Sequence, residues 1–180
     1  MKLLLTSQGF EKNPKIGREF LELVGKPSSK IRVILVPTAS DVESYKGYIE
    51  DDKKNLLKLG IKEASIKALL LDHEIDYSEV ENYDVIHVSG GNVFYLLKKV
   101  RESGFYKIIK KFVKTGSVYM GISAGSYIVC PTIEAATWKL VDTNILGLKD
   151  FTALNLVPFI VFAHHTAEHK AIIDKDEANT

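Results

Sequence analysis

Apolar residues follow two rhythms along this chain. Short, nearly unbroken runs such as Ile31-Arg32-Val33-Ile34-Leu35-Val36 and Asp84-Val85-Ile86-His87-Val88 have the length of strands. Their lack of alternation is that of strands covered on both faces. Between the runs, apolar positions recur every three or four residues, as in Ile16, Phe20, Leu23 and Val24, or Tyr45, Tyr48, Ile49, Leu56 and Leu59. Val93, Leu96, Leu97 and Val100 make a third helical stripe, and Phe105, Ile108, Ile109 and Phe112 a fourth, with Gly104 between them. Gly25-Lys26-Pro27 and Gly60 stop the first two.

In order, the pattern predicts strands at Leu3–Leu5, 31–36, within 64–71, at 84–88, at 117–120 and at 159–163. Helices are predicted within 11–25, from 45 to 59, in the two stripes either side of Gly104, and from Ala124 to Cys130. Strands and helices alternating at this length imply βαβ units. The expected fold is an α/β domain spanning 1–180, with a doubly wound, mainly parallel sheet and helices on both faces. Ligands of such sheets bind beyond the carboxyl ends of the strands. Each motif can therefore be judged by whether it directly follows a strand.

Three motifs do. The first is Gly121-Ile122-Ser123-Ala124-Gly125, after the run Ser117–Met120. In a G-x-S-x-G turn the small flanking residues let the serine hydroxyl project into the crevice as a nucleophile; the alternative is a tight turn in which Ser123 only caps the next helix. The second is Ser89-Gly90-Gly91-Asn92, whose glycines allow close approach of backbone N–H groups to a ligand. With the N–H of Ala124 they suit an oxyanion hole. Asn92 is also placed to cap the following helix. The third is the cluster Ala163-His164-His165-Thr166-Ala167-Glu168-His169. His164 falls at the end of the late apolar run, on the same sheet edge as Ser123, and is the candidate base. His165 points to the opposite side of an extended chain. A metal site built from these histidines and Glu168 matches no ligand spacing with a mechanical rationale. His87 reads as a satisfied core histidine and His73 as a surface loop residue. Cys130 reads as a buried thiol, and Trp138 as packing or a pocket wall.

Composition narrows the partners. Apolar residues make up 46% and charged residues 26%, and 24 Lys plus Arg nearly cancel 23 Asp plus Glu. No basic field exists to hold nucleic acid or an anionic membrane. Neither a Walker pattern nor G-x-G-x-x-G is present, which argues against a nucleotide cofactor. A single cysteine excludes an internal disulfide framework and fits a reducing compartment. The apolar run Leu3–Leu5 is too short for a secretory core of roughly 7–15 residues. No stretch approaches the ~20 apolar residues that span a bilayer. A cytoplasmic monomer or homodimer is expected.

The motifs, in this order, resemble the peptidase E family of serine peptidases (family S51), which includes α-aspartyl dipeptidase. Ser89–Asn92 and Gly121–Ser126 carry the resemblance, with Cys130-Pro131-Thr132-Ile133 and Ala153–Phe159. The opening Leu4-Leu5-Thr6-Ser7 and Val36-Pro37-Thr38-Ala39 add to it. The resemblance implies a flavodoxin-like fold akin to the class I glutamine amidotransferases, with serine in place of cysteine. It implies Ser123 as nucleophile and His164 as base, with oxyanion amides from Gly91 and Ala124. Substrates would be small peptides, Asn92 and His165 would be substrate-pocket residues, and no cofactor or metal is needed. The family's acid about fifteen positions after the serine is Trp138 here, and its other candidate, a glutamate near the C-terminus, is expected to fall in a region cut short at Thr180, so Asp142 and Glu134 become the candidate triad acids. The segment after His164 has no arginine to pair with an acidic substrate side chain, so strict aspartyl specificity is not expected. Two other outcomes stay open: an esterase or amidase using the same turn, and a weak or inactive pseudo-hydrolase that binds a peptide or partner.

Overall fold

In the computed structural model, which describes residues 1–10, 13–45, 47–138 and 142–164, five strands form one parallel sheet. They are β1 (Lys2–Thr6), β2 (Val33–Val36), β3 (Ile66–Ala68), β4 (Val85–Val88) and β5 (Val118–Ile122), in the spatial order β1-β5-β4-β2-β3. The helices are α1 (Pro14–Val24), α2 (Tyr48–Lys58), α3 (Val93–Glu102), α4 (Phe105–Lys114), α5 (Ala124–Tyr127) and α6 (Ala135–Trp138).

Successive strand residues face opposite sides of the sheet, and both sides are apolar. Val33, Val85, Val118 and Met120 pack with Phe20 and Val24 of α1 and Leu56 of α2. Ile34, Val36, Ile86, Val88 and Tyr119 pack with Phe94, Leu97, Phe105 and Phe112 of α3 and α4. Two-sided burial is why these strands read as continuous apolar runs.

The register aligns the ends that matter. Thr6 lies opposite Ile122 and Val88 opposite Gly121, so β1, β4 and β5 finish level with one another. The chain leaving each of them emerges side by side: residues 7–9 after β1, 89–92 after β4, and Ser123 after β5.

Two expected elements differ. The run 159–163 is not a strand. Phe159 and Ile160 are exposed, at 53% and 45%. The N–H groups of Val161 and Ala163 donate to Cys130 Sγ (3.3 Å) and the Tyr127 hydroxyl (3.1 Å) rather than to a neighbouring strand. The helix after Ser123 is a single turn, Ala124–Tyr127, instead of reaching Cys130. No helix among the described residues is long and apolar enough to cross a membrane.

His73 sits on the surface as expected, between Asp72 (2.8 Å) and Glu79 (3.3 Å). Its hydrogen bond to Asp72, then that to Glu79, raises its pKa above 6.5. A raised folded-state value contributes stability that is fully present below about pH 6.5 and is lost as pH rises through the raised pKa. An NMR titration of the His73 ring should therefore give a midpoint above 6.5, and Asp72→Asn should bring it down.

Candidate active site

The Gly121–Gly125 turn is forced by close packing. A Cβ on Gly121 would lie 2.4 Å from the Gly125 carbonyl oxygen, and one on Gly125 would lie 2.3 Å from that of Val88. The turn folds onto itself and onto the end of β4 with no room for a methyl group. Ser126 stitches it to β1: its hydroxyl accepts from Thr6 N–H (3.0 Å) and lies 2.7 Å from the Gly121 carbonyl. Ser123 is held between these anchors at φ 48 and ψ −106, a backbone region that residues with a Cβ rarely occupy and that costs of order 1–3 kcal/mol.

The Ser123 side chain makes no capping hydrogen bond to α5. Its Oγ lies 3.0 Å from His164 Nε2. His164 also has a positive φ, 56°, and its backbone N–H donates to Ser7 Oγ at 3.0 Å. The residue before it, Ala163, is held by Tyr127, whose hydroxyl pKa burial pushes up to about 12. Tyr127 therefore stays a neutral phenol at any ordinary pH. Residues from the ends of β1 and β5, and from α5, thus fix the position of one imidazole.

The loop after β4 completes this edge. Gly91 has φ 134, and a Cβ there would meet the Ala39 carbonyl oxygen at 2.3 Å. Asn92 N–H donates to that same oxygen at 2.8 Å. Gly90 approaches the nucleophile candidate directly, since a Cβ on it would sit 3.3 Å from Ser123 Cβ. Ala124 is fully buried behind Ser123.

A cleft of about 280 Å³ opens in front of these residues. It is lined by Ser123, His164, Gly90, Gly91 and Ile122 together with Ser7, Gln8 and Gly9 after β1 and Tyr48, Asp51, Asp52 and Asn55 of α2. Burial, then Glu43 and Asp142, raise the Tyr48 pKa.

The sequence candidates divide as follows. Ser123, His164 and Gly91 all line the cleft, and Ala124 directly follows Ser123. Asn92 is not among the cleft's lining residues: its side chain caps α3 by accepting from Tyr95 N–H (3.0 Å) and donates to the Thr143 carbonyl (2.9 Å). Its amide is used up in holding two segments together. Glu134 is exposed at the start of α6, away from the cleft. Asp142 is close enough to Tyr48 and Tyr127 to raise both their pKa values. His165, with His169, lies outside the described residues. Trp138 stacks on Phe162, with ring centroids 6.1 Å apart. Cys130 is buried, as expected, and burial raises its thiol pKa.

His87 is fully buried but not satisfied. Nδ1 has no partner among the described residues. Nε2 lies 3.4 Å from Asp52 Oδ2, out of line for a hydrogen bond. Asp52, Asn55 and Ser89 join His87 in a buried polar group that the sequence reading did not single out. A signal for it existed. Positions 52, 55, 56 and 59 follow helical spacing, and an acid and an amide occupy places on a stripe where apolar residues were expected.

Comparison with known proteins agrees with the fold and the family resemblance. The sequence profile of peptidase family S51 matches residues 3–178. An uncharacterized peptidase from Pasteurella multocida is 35% identical over 149 residues, covering 82% of this chain and 70% of the relative. Peptidase E from Nostoc is 30% identical over 171 residues, covering 92% of this chain and 66% of the relative. The crystal structure of a Listeria monocytogenes protein provisionally assigned to peptidase E superposes with a TM-score of 0.79 at 30% identity. That match covers 97% of this chain and 87% of the other. The chain belongs to peptidase family S51, a family of peptide-bond hydrolases.

Proposed function

We infer that this chain is a serine peptidase acting on short peptides. The observation that carries the reading is the 3.0 Å contact between Ser123 Oγ and His164 Nε2, made by a serine at positive φ. That is the reach a nucleophile and its base require. In the reaction, Ser123 Oγ attacks the scissile carbonyl carbon as His164 Nε2 takes the hydroxyl proton. The N–H groups of Gly91 and Ala124 receive the developing oxyanion. His164 then passes its proton to the departing amine, leaving an acyl group on Ser123. Water, deprotonated by His164, releases the acid and restores the serine.

Asp142 is the acid we assign to the neighbourhood of the base. It influences Tyr127, whose hydroxyl anchors the residue before His164, whereas Glu134 lies exposed and away from the cleft. Ser7 is a positioning residue, because it accepts the His164 backbone N–H. Ser7→Ala leaves that N–H without its acceptor and is expected to lower kcat by roughly 10-fold with little change in KM. A purely structural role would instead lower thermal stability and leave kcat per folded molecule unchanged.

A panel of dipeptides, tripeptides and p-nitrophenyl esters tests the substrate class. Turnover of at least one short peptide at a kcat/KM comparable with the best ester supports the peptidase reading. Far better turnover of esters than of every peptide would make the chain an esterase. Turnover of neither would make it a binding protein.

A further inference from the structure

The part of the cleft lined by α2 has a charge character of its own. Its described lining includes Asp51 and Asp52 and no lysine or arginine. Asp51 is already engaged, with the Tyr45 hydroxyl and, at 3.8 Å, with Lys54. Asp52 is not paired with any lysine or arginine among the described residues. It is only 8% exposed, its Oδ2 accepts from the Ser89 hydroxyl at 2.5 Å, and among the described residues the basic group beside it is the His87 ring, whose Nε2 lies 3.4 Å from the same oxygen. A carboxylate withdrawn from water without a cation is costly.

The approach to Asp52 is kept open. A Cβ built on Gly9 would lie 3.9 Å from Asp52 Oδ1 and 3.4 Å from Asn55 Nδ2, so the missing side chain leaves both groups reachable from the cleft. The fit is not that of a metal, since no group of three or more metal-ligating side chains occurs among the described residues. The location is next to the reacting atoms: Asp52 bonds Ser89, which is followed by the glycine that abuts Ser123.

We propose that Asp52, reached over Gly9, binds a positively charged group on the substrate residue acylated by Ser123, so that the enzyme selects acyl residues carrying an ammonium or guanidinium. This rests on the peptidase reading for the role of Ser123. The cation has two possible sources with one chemistry, a free α-amino group or a basic side chain. In either case it adds a cationic donor to a carboxylate whose bonded partner is the neutral Ser89 hydroxyl. The volume, about 280 Å³, suits one residue rather than an extended peptide.

The test uses binding, so that it does not depend on turnover. The full-length Ser123→Ala protein is titrated calorimetrically with lysinamide, norleucinamide, N-acetyl-lysinamide and N-acetyl-norleucinamide. At least one cationic amide should bind about 10-fold more tightly than N-acetyl-norleucinamide, the scale of one hydrogen bond to a charged group. Norleucinamide against N-acetyl-lysinamide tells the α-amine from the side chain. Adding Asp52→Asn should bring the four ligands within about 3-fold of each other. Gly9→Ala, whose Cβ meets only ordinary contacts and so leaves the fold intact, should reduce the preference in the same direction. Equal binding of all four amides, no binding of any, or a preference that survives both substitutions overturns the proposal. Failure of the wild-type chain to cleave any peptide, with the preference intact, instead overturns the peptidase reading and leaves the cation site standing.

Discussion

Ser123→Ala is expected to abolish peptide turnover, with a loss in kcat on the order of 10⁴-fold or more, while the protein stays folded. The reasoning separates chemistry from stability. The Ser123 hydroxyl caps nothing and meets His164 Nε2 at the cleft, so removing it leaves the core untouched. The strain lies in the backbone, at φ 48, and alanine inherits it. Glycine does not. Ser123→Gly should therefore be equally inactive but more stable than Ser123→Ala by about 1 kcal/mol. In a domain of this size that is a rise of roughly 2–4 °C in Tm. Were the serine only a turn residue, both variants would keep full activity.

The second large effect is steric. Gly125→Ala places a methyl carbon 2.3 Å from the Val88 carbonyl oxygen, at the end of the central strand β4. Neither partner is a flexible side chain, so one backbone segment must move. A destabilisation of about 3 kcal/mol or more is expected, above the usual range for a small-to-large change in a packed site. Gly104→Ala is the control. Nothing lies within 4 Å of its Cβ, and only its φ of 69° opposes a side chain, so about 1 kcal/mol is expected. Thermal melts of the two variants measure the difference. Equal melting temperatures would show that the turn yields to a methyl group at Gly125.

These two expectations explain why the turn was readable. Gly121 and Gly125 are dictated by close backbone contacts, and such dictation shows in the sequence. The same holds for β2 and β4, where burial on both faces leaves an unbroken apolar run. The stretch 159–163 has the same apolar look for a different reason. Its N–H groups bond to Cys130 and Tyr127, side chains some thirty residues distant, and no local pattern announces that. His164 Nε2 still lies 3.0 Å from Ser123 Oγ, because the segment ends at the same sheet edge whether or not it is a strand.

The cation end of the cleft was missed because amphipathic reading counts apolar positions and treats polar ones as surface. Asp52 and Asn55 lie on the buried side of α2, and His87 lies inside an apolar strand facing the same way. A buried acid, amide and imidazole meeting under one cleft become visible only once α2 is packed on the sheet. The choice between the two candidate acids was illegible for another reason. Glu134 and Asp142 flank the family's expected position, and only the folded chain brings Asp142 near Tyr48 and Tyr127 while leaving Glu134 exposed.

If Ser123 is an activated nucleophile with His164 as its base, reaction with a fluorophosphonate followed by peptide mapping in a mass spectrometer should reveal it. One phosphonyl group is expected, on Ser123, formed far more slowly in His164→Ala and absent in Ser123→Ala. Absence of labelling in the wild-type chain, or labelling that persists after Ser123→Ala, would contradict it.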